Sequence, residues 1–147
     1  MGVALLDSSA VVAYLYADDA LHRDAAATIE RVVREGASLA ISAVTWAELL
    51  HGANIGHHEQ TLIRGFVRDF GVAIVAVDAE VAEQAAELQG AYARSGRRRD
   101  RPRLRTPDAL ILATANVAAE IETVIGGDAK WAKVPGVDAG VLLLRAR

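Results

Sequence analysis

Residues 3–15 consist of a short apolar run, one aspartate, two serines and a second apolar run. Residues 3–6 are too few for a stable helix and are typical of a strand buried on both faces. Asp7 stands where this strand ends. Ligands of open parallel sheets bind at the carboxyl ends of the strands, because loops and helix N-termini converge there. Asp7 is therefore either a simple cap of the following helix or a candidate member of a ligand site.

The alternation of strand and helix continues along the chain. Buried strands are predicted at residues 38–41, 72–77, 121–125 and 141–144. Apolar residues at helical spacing predict helices over residues 8–16 and 21–34, from Ser42 or Thr45 through Trp46, over 62–70, after Asp78 and over 108–119. Such alternation specifies a parallel sheet between helical layers. We expect one α/β domain over residues 1–147, with three α/β/α layers and a central, mainly parallel sheet of four to five strands.

The composition excludes several classes of protein. The 147 residues are 52% hydrophobic, but no apolar stretch is long enough to span a membrane, and the first residues lack the features of a signal peptide. The absence of cysteine excludes disulfides and thiolate chemistry and suits a reducing cytoplasm. Histidine ligation is not favoured, since His22 has no partner at ligand spacing. His57 and His58, expected on an exposed stretch before a helix, point apart.

Four acids are predicted to meet at one edge of the sheet. Asp7 and Asp128 follow strands, while Glu48 and Asp108 are expected in the first turns of helices that begin at the same edge. Carboxylates placed together repel one another, and burial raises their pKa values unless a cation neutralises them. All-oxygen ligands favour Mg²⁺ or Mn²⁺. Such an ion suits the hydrolysis of phosphodiesters, because it activates water and neutralises developing charge.

Each acid also has a simpler structural interpretation. Thr45 and Glu48 have the spacing of a capping box, in which Glu48 bonds back to the Thr45 amide. Asp108 is favoured by the helix dipole, and Asp128 follows two glycines as in an ordinary turn. For Asp78, at the end of the third strand, the capping interpretation is clearly preferred. The joint placement of the four acids is what favours a metal site.

A basic segment, residues 94–105, enters immediately before Asp108. It contains seven arginines and one acid, a local charge of +6, and since the whole chain carries −3 the remainder carries −9. Arginines bind phosphates by charge and paired hydrogen bonds, and single-stranded RNA needs little more than such a track beside a metal. The alternative is a solvated loop without a ligand. The candidate RNA-binding residues are Arg97, Arg98, Arg99, Arg101 and Arg103.

Three stretches form collinear motifs: VALLDSSAVVAYL at residues 3–15, TWAEL at 45–49 and TPDALILATA at 106–115. Together they resemble a PIN domain of the kind found in VapC toxins of VapBC toxin–antitoxin systems, and the resemblance covers essentially the whole chain. It implies a metal-dependent endoribonuclease that binds one or two Mg²⁺ or Mn²⁺ ions and cleaves structured RNA such as tRNA or ribosomal RNA. It also implies a homodimer silenced by a cognate VapB-like antitoxin. The implied catalytic and metal-binding acids are Asp7, Glu48, Asp108 and Asp128.

One departure from the family pattern concerns the fourth acid. Many relatives carry a serine or threonine two positions before it, where this chain has Gly126. The glycine removes a hydroxyl that would contact water or metal beside Asp128. Ser9, close to Asp7 in sequence, is a candidate helper hydroxyl. The basic segment is also richer in arginine than usual and would serve either the antitoxin or the RNA.

Two other functions fit parts of the pattern. A signalling receiver gathers acids at strand ends and would use Asp78 as its phosphate acceptor. It expects a second acid beside Asp7, where this chain has Ser8 and Ser9, and a lysine after the last strand, where it has Arg145. A PIN-fold binding module that has lost catalysis is the second alternative, and the retention of four acids argues against it.

Overall fold

The structure is a computed structural model that describes residues 2–52 and 56–146. Five strands and six α-helices alternate along this part of the chain, with one short 3-10 helix before the last strand. The strands are β1 (Val3–Leu6), β2 (Ser38–Ser42), β3 (Ala73–Val75), β4 (Ile121–Gly126) and β5 (Gly140–Leu143). The helices are α1 (Ser8–Leu15), α2 (His22–Arg34), α3 (Ala43–Gly52), α4 (His57–Asp69), α5 (Ala79–Ser95) and α6 (Thr106–Val117), and the 3-10 helix covers Ala129–Lys133.

The strands form one sheet in the order β3-β2-β1-β4-β5, and all four pairings between neighbouring strands are parallel. The first three strands are laid outward from β1, and the chain then crosses back to place β4 on the other side of β1. The strand order therefore reverses between β1 and β4, and ligands of open α/β sheets bind at such a point. This topology confirms the predicted parallel α/β sheet.

Helices cover both faces of the sheet, which confirms the predicted three layers. Successive residues of a strand point to opposite faces. Leu6 of β1 therefore packs with residues of α1, α2 and α4, whereas the preceding Leu5 packs with residues of α5 and α6. Both side chains are fully buried. Burial on both faces explains why β1 is a continuous apolar run.

The start of α3 differs from one of the two predicted starts. β2 passes directly into α3, and the Ser42 hydroxyl accepts a hydrogen bond from the Val44 amide at 3.1 Å. Thr45 lies inside the helix and is fully buried, so the predicted capping box of Thr45 and Glu48 is wrong. Because α3 begins at Ala43, Glu48 lies in its second turn and not in the first.

Several other helix and strand boundaries differ from the predicted ones. His57 and His58 lie in the first turn of α4, and the third strand has three residues, not the six predicted for 72–77. Helix α6 covers Thr106–Val117 and so begins and ends two residues before the predicted 108–119, with Arg105 in the capping position. As predicted, the Asp78 carboxylate caps α5, accepting from the Val81 amide at 3.0 Å. A residue with this structural role no longer supports the receiver interpretation.

Two hydrogen bonds tie the outer elements of one layer together. The His22 imidazole donates through Nδ1 to the Ala13 carbonyl at 2.7 Å, which links α2 to α1. The Arg145 amide donates to Oδ2 of the buried Asp24 at 2.9 Å, which fixes the chain after β5 against α2. His22 thus has a structural role at a helix start.

No helix within residues 2–52 and 56–146 is both long and apolar enough to cross a membrane.

The sheet offers a matched test of burial. Ile41 of β2 and Ile74 of β3 are register partners, but Ile41 is fully buried and Ile74 is 44% exposed. We expect Ile41→Ala to lower the free energy of unfolding by about 2–5 kcal/mol, because it leaves a cavity in a packed core. Ile74→Ala should cost less than about 1 kcal/mol. Urea unfolding of both variants checks this, and equal losses would contradict the assigned register and burial.

Candidate active site

The carboxyl ends of β1 and β4 bring two distant parts of the chain together. Leu6 pairs with Ile125, and the Asp7 amide donates to the Ile125 carbonyl at 2.9 Å. Asp7 leaves β1 at this edge, and Asp128 leaves β4 two residues after the strand ends. Two of the predicted acids therefore flank the point at which the strand order reverses.

Asp7 is held by a hydrogen-bonded bridge across this edge. The Ser9 hydroxyl donates to Asp7 Oδ2 at 2.8 Å, and the same hydroxyl accepts from the Gly127 amide at 3.1 Å. Asp7 occupies the capping position of α1 but makes no side-chain capping hydrogen bond, and it is only 8% exposed. The backbone amides of Ser8 and Ser9 lower the pKa of this carboxylate, as expected at the start of a helix. The Ser9 hydroxyl in addition connects it to the loop that carries Asp128.

Three of the four acids line one cavity of about 430 Å³. Asp7, Asp108 and Asp128 contribute its carboxylates, and its other lining residues include Arg103, Arg105 and Lys130. Glu48 does not line this cavity. It lies on a neighbouring groove of about 380 Å³ between α1, α3 and α4. The structure thus brings three predicted acids together and places the fourth at their side.

The acids raise one another's pKa values. Burial raises the pKa of Asp7, the hydrogen bond from Ser9 opposes this, and repulsion from Asp128 adds to it. Burial also raises the pKa of Glu48, with further repulsion from Asp7 and Asp108. For Asp108, burial and repulsion from Asp7 and Asp128 again raise the pKa. Glu48 is therefore coupled to the acids of the cavity although it does not line it.

Two cations beside the acids were not singled out from the sequence. Arg105 lowers the pKa values of Glu48 and Asp108, and Lys130 lowers that of Asp108. The Lys130 amide also donates to Asp128 Oδ1 at 2.9 Å, so the turn that places Asp128 fixes Lys130 as well. In the sequence, the only indication of the role of Lys130 was its position two residues after an aspartate at the start of a helix. Arg105 precedes Asp108 by three residues, but nothing local indicated that it would also act on Glu48.

The donor set fits a hydrated divalent ion. No group of three or more histidine or acidic side chains in the described residues forms a metal-binding cluster as it stands. Mg²⁺ keeps several of its waters and takes only one or two direct carboxylate ligands, so it does not need a closed cage. Asp7, Asp108 and Asp128 offer hard oxygen donors around a cavity with room for such waters. Burial and repulsion between carboxylates raise the pKa values of Asp7 and Asp108, and a bound cation would oppose both effects.

The basic segment has a folded tip and an anchored end. The Asp100 amide donates to the Arg97 carbonyl at 2.9 Å within a short antiparallel bridge. Further on, Leu104 is buried, and Gln89 Nε2 of α5 donates to the Leu104 carbonyl at 3.0 Å. The seven arginines of residues 94–105 are exposed, and none forms an ion pair within the part of the chain described here. Arg103 and Arg105 line the acidic cavity, whereas Arg97, Arg98, Arg99 and Arg101 are not among its lining residues.

Comparison with known families settles the classification. The model of the PIN domain family matches residues 4–137. This chain belongs to the PIN domain family.

Solved structures with the same fold come from toxin–antitoxin systems. A toxin–antitoxin complex from Klebsiella pneumoniae is 28% identical, with a TM-score of 0.63 and coverage of 95% of each chain. VapBC-5 from Mycobacterium tuberculosis, of the VapBC family, is 26% identical, with a TM-score of 0.59 and coverage of 99% of each chain. VapC20 from the same organism, described as a toxin that cleaves the sarcin–ricin loop, is 20% identical, with a TM-score of 0.67 and coverage of 92% of this chain and 98% of that chain. The search of curated proteins gives no match.

Gly126 of this PIN domain is enclosed by two side chains. A Cβ atom added at this position would lie 3.1 Å from Trp131 Cζ3 and 3.3 Å from Asp7 Cβ. Trp131 is 1% exposed and forms part of the core between the sheet, α5 and α6. The tryptophan ring therefore fills the space of the hydroxyl side chain expected there. Ser9 supplies a hydroxyl from α1 instead.

We expect Gly126→Ser to lower the free energy of unfolding by about 1–3 kcal/mol, because an inserted side chain must displace a packed ring or the Asp7 backbone. The matched control is Gly65→Ser in α4, where an added Cβ has only the end of the Arg68 side chain within 4 Å. This control should lose no stability, since serine favours helix more than glycine does. Urea unfolding measures both variants. If Gly126→Ser is as stable as the wild type, the Trp131 ring can shift to make room for the serine side chain, and the expected steric conflict is contradicted.

The raised pKa values predict how stability depends on pH. A carboxyl group whose pKa is raised by folding favours the folded state while protonated, and this contribution is lost as pH rises through the folded-state pKa. At pH 7 and without metal, Asp7 therefore destabilises the fold. We expect Asp7→Asn to raise the melting temperature in EDTA by about 3 °C, which corresponds to about 1 kcal/mol in a chain of this size.

The gain from Asp7→Asn should shrink as pH falls towards 3.8, the ordinary pKa of aspartate, because Asp7 then becomes neutral in the wild type as well. The control is Asp18→Asn, at an exposed position between α1 and α2, which should change the melting temperature by less than about 1 °C. Thermal denaturation at several pH values provides the measurement. A loss of stability in Asp7→Asn at pH 7 would contradict the assigned repulsion.

Proposed function

We propose that residues 1–147 form one PIN domain that acts as a metal-dependent endoribonuclease toxin of a VapBC-type system. The observation that carries this proposal is the convergence of Asp7, Asp108 and Asp128 on one cavity at the reversal point of the sheet, with cations on the same wall. The 28% and 26% identical relatives come from toxin–antitoxin systems, which supports the toxin assignment. The proposed catalytic acids are Asp7, Glu48, Asp108 and Asp128.

In this proposal Asp7, Asp108 and Asp128 hold Mg²⁺ or Mn²⁺, with Glu48 completing the acidic set from the side. The bound ion supplies Lewis acidity and a lowered pKa for water. Glu48, with its raised pKa and greater exposure, takes the proton of the attacking water. A general base works best when its pKa lies near the working pH. Ser9 keeps the Asp7 carboxylate in place through its hydrogen bond.

The cations of the cavity bind the phosphate. Four carboxylates would repel a phosphodiester, so positive groups are needed on the same wall. Arg103, Arg105 and Lys130 line the cavity and carry this charge. Their donors bind the non-bridging oxygens and stabilise the charge that develops when water attacks phosphorus. The site therefore combines groups for metal and groups for phosphate within one cavity.

The proposed substrate is structured RNA of the translation machinery, either tRNA or ribosomal RNA. VapC20, which shares this fold, is described as a toxin that cleaves the sarcin–ricin loop. The exposed arginines 97, 98, 99, 101 and 103 would bind RNA beyond the cavity. A homodimer and a VapB-like antitoxin that silences the enzyme complete the proposal. The related structures contain such complexes, including one from Klebsiella pneumoniae.

The decisive test is RNA cleavage by the purified chain. We expect cleavage of total tRNA or ribosomal RNA in the presence of Mg²⁺ or Mn²⁺ and none in excess EDTA. Asp7→Asn should lower the rate about 100-fold or more, because it removes a charge that acts in the transition state. Cleavage products separated by gel electrophoresis give the rates. Wild-type activity in EDTA, or in Asp7→Asn, would refute the mechanism.

Two controls separate loss of chemistry from loss of fold. Asp18→Asn should cleave at the wild-type rate, because this exposed residue lies outside the cavity. Mg²⁺ should raise the melting temperature of the wild type, since a ligand that binds the folded state stabilises it. The same addition should raise that of Asp7→Asn less. A folded wild type that binds RNA and Mg²⁺ but never cleaves would instead indicate a binding module without catalysis.

A further inference from the structure

A second cavity shares a wall with the acidic cavity. It measures about 470 Å³, and its lining includes Gln89 of α5 and Thr106 of α6. Arg103, Leu104 and Arg105 line both cavities, so these three residues form the wall between them. No acidic residue lines the second cavity. A negatively charged ligand would therefore be attracted to it by two arginines without opposition from its own walls.

The flank of the acidic cavity that carries Glu48 has a different character. The groove that carries Glu48 also carries Glu59, and its other lining residues include the apolar side chains of Val12, Leu49 and Ile63. A phosphate chain leaving the acidic cavity on this flank would meet two carboxylates and an apolar surface. On the flank of the second cavity it would meet two guanidinium groups, an amide and a hydroxyl. Electrostatics thus favours one direction of exit over the other.

We propose that the second cavity binds the phosphate next to the scissile one, with Arg103 and Arg105 as its cationic ligands. The backbone of single-stranded RNA would then run from the acidic cavity over the ends of α5 and α6, away from α1, α3 and α4. This inference rests on the proposed function, which places the scissile phosphate in the acidic cavity. It assigns the shared wall to the substrate and not to a protein partner.

The wall is fixed before any ligand arrives. Leu104 is 4% exposed and anchors the segment in the core between α5, α6 and the sheet. Gln89 Nε2 donates to the Leu104 carbonyl at 3.0 Å and to the Thr106 hydroxyl at 3.2 Å. A wall held on both sides of Arg105 loses little conformational entropy on binding. Arginines 97, 98 and 99 line neither cavity, so they serve phosphates farther along the strand.

The number of phosphates that the protein binds can be measured by comparing the affinities of short oligouridylates without terminal phosphates. The dinucleotide UpU carries one phosphate, and the trinucleotide UpUpU carries two. All proteins carry Asp7→Asn to prevent cleavage, and affinities are measured with Mg²⁺ by NMR titration at several salt concentrations. Two phosphates that compete for a single site would improve the dissociation constant only about twofold, because the second phosphate adds one further way to occupy that site.

We expect UpUpU to bind at least about fivefold more tightly than UpU, with a salt dependence steeper by about 0.7 in log Kd against log salt, the value for one further phosphate contact on a single strand. Arg103→Ala should reduce the affinity gain to about twofold and remove the extra slope. Arg103→Lys should keep the slope, because it keeps the charge. The matched control is Arg34→Ala, which removes an exposed positive charge at the end of α2, outside both cavities, and should keep the full gain.

The inference is overturned if Arg103→Ala retains the fivefold gain, or if Arg34→Ala loses it equally. Weakened antitoxin binding in Arg103→Ala with an unchanged gain would assign the wall to the protein partner and overturn it too. The outcome is separable from that for the proposed function. RNA cleavage by the wild-type chain without a gain for UpUpU removes only the second phosphate site. A gain without cleavage keeps that site and removes the nuclease.

Discussion

Repulsion among carboxylates at the carboxyl edge of the sheet is the constraint around which this molecule is built. Parallel pairing of β1 with β4 places Asp7 beside the loop that carries Asp128, although the two carboxylates repel each other. Nearby hydrogen bonds and positive charges partly offset this repulsion. Ser9 connects Asp7 to the Gly127 amide, while Arg105 and Lys130 place positive charge beside the acids. The buried carboxylate oxygens of Asp7 and Asp108, whose pKa values remain raised, are what make the cavity suited to a cation.

The two flanks of the acidic cavity divide the remaining surface by chemistry. One flank presents arginines on a wall that Leu104 and Gln89 hold in place. The other presents apolar side chains and two glutamates between α1, α3 and α4. Such a division allows a nucleic acid and a protein to approach the acidic cavity over different surfaces. Glu48, which belongs to the second flank but is coupled to Asp7 and Asp108, lies where the two approaches meet.

Sequence patterns predicted most of the fold, because burial on both faces makes strands such as β1 recognisable as continuous apolar runs. The placement of Asp7 and Asp128 at strand ends followed from the same patterns. The start of α3 did not, since TWAE has the spacing of a capping box, and only the direct passage from β2 into α3 shows that Ser42 takes that role. The absence of Glu48 from the cavity lining depends on packing against α1 and α4. The nearness of Arg105 to Asp108 follows from their separation by three residues, but its effect on Glu48 depends on the packing of α3 against α6, which no local pattern reveals.

The central position of β1 has a consequence for biosynthesis. Its neighbour β4 begins at Ile121, more than a hundred residues after β1 ends. A nascent polypeptide already carries Asp7, Glu48 and Asp108 long before Asp128 leaves the ribosome, yet it cannot close the centre until β4 docks on β1. Prematurely terminated products therefore contain most of the acids without the assembled pocket. For a protein whose proposed target is translation itself, this order of assembly delays the proposed activity until β4 has been synthesised and has paired with β1.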